Sequence, residues 1–179
     1  MTTSSLFVIP DTHGDGDIIL DLCRQVRELD QALDFFFLEV DSRDAWVVEH
    51  FTQSSQGSSD ITQLFHNLSS SFALCNNMWA RMAPGCYTAT IAKLIMVLVE
   101  QGTDIRCVDD TSRVFTTRPD GSSRGCDFFY RNRVMAEHIN AHAVGHRSAF
   151  LVGALHINNC FSIANWVDDR VRVFVTPEL

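Results

Sequence analysis

Residues 6 to 10 form a short apolar run, Leu6-Phe7-Val8-Ile9-Pro10, and read as a buried strand. The period then changes. Ile18, Ile19, Leu22, Val26 and Leu29 recur at helical spacing, with Asp15 or Asp17 available as N-cap. The nearly unbroken apolar stretch "ALDFFFLEV" that follows is the pattern of a parallel strand covered on both faces, and it ends at Glu39 and Asp41. "RDAWVVEHF" predicts a short helix capped by Asp41 or Ser42.

From Thr52 to Gly85 the chain turns rich in Ser, Gln and Asn, with one helix predicted through "ITQLFHNLSSSF". Residues 52–86 are therefore expected to form a lid-like insertion. "TATIAKLIMVLVEQG" is apolar almost all round, which predicts a helix packed on both sides and closed by Gly102. "TDIRCVDD" reads as a further strand ending in acids, Asp109 and Asp110. "RVFTT" and "CDFFY" are expected to pair as a hairpin around the Pro-Asp-Gly turn between them. A helix over "RNRVMAEHINAHAV", a strand over "SAFLVGALHI" and a final pair of strands ending in "RVRVFVTPEL" complete the order. Alternating strands and helices predict one α/β domain over residues 1–179, with a largely parallel sheet, right-handed crossovers and flanking helices. Ligand sites in such sheets lie beyond the carboxyl ends of the strands. Four strands expected in the sheet interior finish in Asp11 and His13, Glu39 and Asp41, Asp109 and Asp110, and His156, so these groups should converge on one crevice.

Composition narrows what that crevice meets. The formal charge of −8 over 179 residues argues against a phosphate-backbone footprint, and nucleic acid is set aside as a partner. The first five residues are polar, and the apolar run after them is too short for a secretory core, so no signal peptide is expected. No transmembrane segment is expected either, because the longest apolar stretch is broken by Lys93. Six scattered cysteines without a CxxC pair read as reduced thiols, which points to a cytoplasm. Export without a cleavable signal, followed by action in a host cytosol, would leave the same composition.

An acid and an imidazole at the end of the first strand fit two chemistries. In a binuclear metallophosphoesterase, Asp11-x-His13 would be the first metal corner, but the two later glycine-rich metal loops of such enzymes have no counterpart here. Four segments support the other chemistry: "VIPDTHG", "FFFLEVD", "YRNRVMAEHI" and "FLVGALHI". In that order they resemble motifs of the superfamily of erythromycin esterases, ChaN-like haem-binding proteins, TraB-like proteins and TIKI proteases, which includes domains of bacterial toxins and effectors. The resemblance implies a hydrolase-like domain in which His13, Glu39, Arg131 and His156 activate water against an ester or amide, of a small molecule or a peptide. Asp11, Asn132 and Asp110 would support them. Relatives differ in metal use, so a Mn, Co or Zn ion held by His13, His156 and Glu39 is one expectation and a metal-free site the other; haem is a further candidate cofactor. Pro10 and Asp11 stand where the family has Gly and Glu, and Tyr130 where many members have an acid. These departures leave a non-catalytic ligand-binding or effector module of the same fold as the alternative.

Residue chemistry gives separate expectations. His13 is the first choice as general base, and His156 the natural partner as second base, oxyanion donor or ligand. Glu39 ends an apolar strand and needs a partner, which Arg131 can supply. A helical projection puts Arg131, His138 and His142 within about 40° of one another, with Arg133, Glu137 and Asn140 turned to water. His138 and His142 lack an HExxH context and read as core or supporting histidines. Cys86, just before a helix, has no neighbouring base in sequence and is a weak nucleophile candidate.

Overall fold

A computed structural model describes residues 4–11, 16–42, 45–46, 48–49, 86–110, 128–157, 162–176 and 179. Five strands, β1 (Ser5–Asp11), β2 (Phe35–Asp41), β3 (Asp104–Asp109), β4 (Arg147–Gly153) and β5 (Arg172–Val175), form one sheet in the order β3-β2-β4-β1-β5. Every pairing in it is parallel. Among the described residues the longer helices beside it are α1 (Gly16–Glu28), α2 (Cys86–Glu100) and α3 (Phe128–Ala143).

Side-chain alternation along the strands feeds two cores, one on each face. Phe36 and Leu38 point into the layer of α1 and α2, whereas Phe37 points into the layer of α3. In α1 the buried residues Ile19, Leu22, Cys23 and Val26 keep helical spacing. Ile91, Leu94, Ile95 and Leu98 of α2 join the same cluster, and Met135, Ala136, Ile139 and Ala143 of α3 seal the opposite face. The chain moves one way across the sheet from β1 to β2 to β3, then reverses through α3 to reach β4 and β5. With right-handed crossovers, that reversal puts α3 on the face opposite α1 and α2. Adjacent strands β3, β2 and β4 therefore hand the chain to alternating faces, which opens a crevice at their carboxyl ends.

The predicted α/β class and parallel sheet match the structure, and several local expectations are corrected. β3 lies at the sheet edge rather than inside. Phe128–Tyr130, expected in a hairpin strand, form the first turn of α3. Their aromatic run favours a strand by propensity alone, but it continues directly into the helical pattern, and Phe129 packs edge-on against Trp166 at 4.9 Å. The strand expected through His156 stops at Gly153, where a 3-10 turn, Ala154–His156, takes over. The final pair of strands reduces, among the described residues, to β5 preceded by the 3-10 turn Ile163–Trp166. Asn140 is half-buried rather than turned wholly to water: its amide nitrogen donates to the Trp166 carbonyl at 3.0 Å and its oxygen accepts from the Asp168 amide at 2.9 Å. Residues 45, 46, 48 and 49 are helical, as expected for "RDAWVVEHF". Most of the predicted lid, the remainder of the predicted hairpin and the Cys86 side chain lie outside the described residues.

α2 ends as its sequence predicts. Gly102 takes φ 74°, its amide donates to Val99 O at 3.0 Å, and the Thr103 amide donates to Leu98 O at 3.0 Å, the two bonds of a Schellman motif. A Cβ at Gly102 would meet nothing within 4 Å, so Gly102→Ala carries only backbone strain. Denaturant unfolding should show that substitution costing about 1–2 kcal/mol.

Candidate functional site

The carboxyl ends of β2 and β3, the first turn of α3 and the turn after β4 meet around one guanidinium. Arg131, near the start of α3, donates from Nε to Asp109 Oδ1 at 3.0 Å and from Nη2 to Asp109 Oδ2 at 2.5 Å. Nη2 also donates to Glu39 Oε1 at 2.6 Å, and Nη1 lies 3.3 Å from His156 Nε2. The same His156 nitrogen is 3.2 Å from Glu39 Oε1, while the second oxygen of Glu39 accepts the Gly153 amide at 2.7 Å. Asn132, next to Arg131, reaches both ends of the last residue of the turn: its oxygen meets His156 Nδ1, and its amide nitrogen donates to the His156 carbonyl at 3.3 Å.

Burial makes this cluster expensive to assemble and costly to break. The side chains of Glu39, Asp109 and His156 are 2%, 4% and 2% exposed, and Arg131 is 17% exposed. Burial alone pushes the Glu39 carboxyl up. The His156 hydrogen bond, the Arg131 charge and the Gly153 amide together outweigh it and hold the group down at about 2.

Sequence-predicted residues fall into three groups. Glu39, Arg131, Asn132 and His156 are brought together. Asp11 is fully buried at the end of β1, opposite Gly153 in register, and so lies on the same sheet edge. His13 and its neighbours 12–15 lie outside the described residues. Of the two acids expected at the end of β3, Asp109 grips Arg131 through both carboxylate oxygens. A period-two reading of "CVDD" cannot choose between them, because the β2–β3 register shifts between Leu38 and Asp41. The Gly153 amide is a contributor that the sequence did not mark, since a backbone donor leaves no side-chain signal. His138 and His142, although on the same helix, line a separate cavity of about 170 Å³ with Arg106 and Cys107. His142 packs on Phe35, ring centroids 5.4 Å apart, and burial lowers its pKa.

A divalent metal does not fit between Glu39 and His156. Both atoms that would bind it, Oε1 and Nε2, already face the guanidinium of Arg131, so a cation fills that place. Among the described residues no group of three or more His, Cys, Asp or Glu is arranged to hold a metal ion. Also among them, no helix is long and apolar enough to cross a membrane.

No protein-family model matches the chain, and no curated protein sequence does either. A solved structure, that of the type III effector HopBA1, is similar in fold. It aligns with a TM-score of 0.53 at 15% identity, over 85% of this chain and 67% of that one.

Proposed function

We propose that this α/β chain is a hydrolase-like effector module that activates water against an ester or amide at the carboxyl edge of its sheet. His13, two residues beyond the buried Asp11, serves as general base. Arg131 binds the oxyanion that develops as water attacks. Glu39, Asp109 and His156 hold the guanidinium in place. The observation that carries the reading is Arg131 itself: three buried groups from two strands and a turn fix it, and it remains the most exposed member of the cluster. His156, with both ring nitrogens engaged and 2% exposure, serves here as a holder of Arg131 rather than as a base open to water. The similar fold of a type III effector supports an effector role and action in a host cytosol.

A second reading is a binding module without turnover. It is favoured by the way the charges of Glu39 and Asp109 are answered within the cluster itself. A panel of chromogenic esters and amides separates the two. Turnover that falls about 100-fold in both His13→Ala and Arg131→Lys is the expected result. Unchanged turnover in both variants overturns the catalytic roles, and saturable binding of the panel without turnover moves the assignment to the second reading.

A further inference from the structure

The amide of Asn132 has one orientation that satisfies its surroundings. Its nitrogen donates to the His156 carbonyl. Turned over, the amide would set oxygen against that carbonyl oxygen and NH2 against the ring. With the nitrogen committed, Oδ1 faces His156 Nδ1, and an amide oxygen can only accept, so Nδ1 must carry a hydrogen. Asn132 and His156 are each 2% exposed, so water does not compete for either contact.

We propose that Asn132 is a positioning residue that keeps the proton on Nδ1 of His156 and thereby turns the lone pair of Nε2 toward Arg131. Nε2 lies between Arg131 Nη1 and Glu39 Oε1, at 3.3 and 3.2 Å. Without a proton it accepts from Nη1 and helps aim the guanidinium. With one it donates to Glu39 and withdraws its lone pair from Arg131. The choice of tautomer therefore bears on how firmly Arg131 is held, which an anionic ligand or developing oxyanion at that guanidinium would sense. The importance of Arg131 to a reaction rests on the proposed function; the tautomer does not.

Long-range 15N–1H correlation of the imidazoles in the full chain, above the pH at which they titrate, reads the tautomer directly, with His156 assigned by the signals lost in His156→Gln. The expected wild-type species is Nδ1–H. Asn132→Asp, which keeps the acceptor, should retain it, whereas Asn132→Leu should shift the ring toward the Nε2–H form that free histidine prefers. An Nε2–H wild-type ring, or an Asn132→Leu spectrum like the wild type, overturns the proposal; the wild-type spectrum alone decides where a variant fails to fold. If turnover is found, Asn132→Leu should lower kcat about 10-fold with little change in KM, and Asn132→Asp should recover most of it. An Nδ1–H ring in a protein that turns over nothing would leave the tautomer assignment standing and count only against the catalytic reading.

Discussion

Arg131→Met is expected to lower folding stability by about 3–5 kcal/mol at pH 7, the range for removing one partner of a buried charge cluster. The loss comes less from the vanished bonds than from what stays behind. Asp109 loses a two-pronged partner and Glu39 a contact of 2.6 Å, and both carboxylates remain almost wholly inside the protein. Met keeps much of the apolar stem, so packing changes little and the charge effect dominates. Urea unfolding of the variant beside Arg24→Met gives the contrast. Arg24 bonds Asp21 at 2.6 Å on the open surface of α1, where solvent screens such a pair and it contributes little. Equal losses in the two variants would show that burial adds nothing and that the cluster behaves as a surface pair. Combining Arg131→Met with Glu39→Gln should cost less than the two separate losses together, because one uncompensated charge is then gone.

The frame of this site is legible in the sequence because burial writes itself into hydrophobic pattern. The "ALDFFFLEV" run identifies a strand covered on both faces, and Phe36 and Phe37 indeed enter opposite cores. Gly102 identifies the end of α2, since only a residue without Cβ enters positive φ without strain. Glu39 announces itself as an acid at the end of an apolar strand, and helical phase brings Arg131 to it. Phase fails two and three turns later. It places His138 and His142 on the side of Arg131, yet at 1.5 Å of rise per residue they sit about 10 Å and 16 Å farther along the helix axis, beside the middle and start of β3. Angular position was readable and depth along the strand direction was not. The Asp109 contact depends on a register shift between two strands, and the Gly153 amide on where β4 gives way to a tighter turn. Both are set by tertiary pairing, which local propensity does not encode.

Acid should weaken the fold through Glu39 in a window that its environment fixes. Its carboxyl titrates at about 2 in the folded chain against 4.5 for the free group, so between these values the unfolded chain binds the extra proton. Stability therefore rises with pH there: the Glu39 contribution is fully present above about pH 4.5 and is lost as pH falls toward 2. The whole contribution is about 3 kcal/mol, of which about 2 kcal/mol should be gone by pH 3. Asp21 and Asp168 are also held low, by Arg24 and Arg170, but in open solvent those pairs add little. Glu39→Gln isolates the effect. It cannot ionise, and its amide must set NH2 against either the Gly153 amide or the Arg131 guanidinium, so it should be less stable than wild type at pH 6 and should lose about 2 kcal/mol less between pH 6 and pH 3. Parallel acid profiles would mean that Glu39 titrates as an ordinary carboxyl and that the Arg131–His156 cage does not hold its charge.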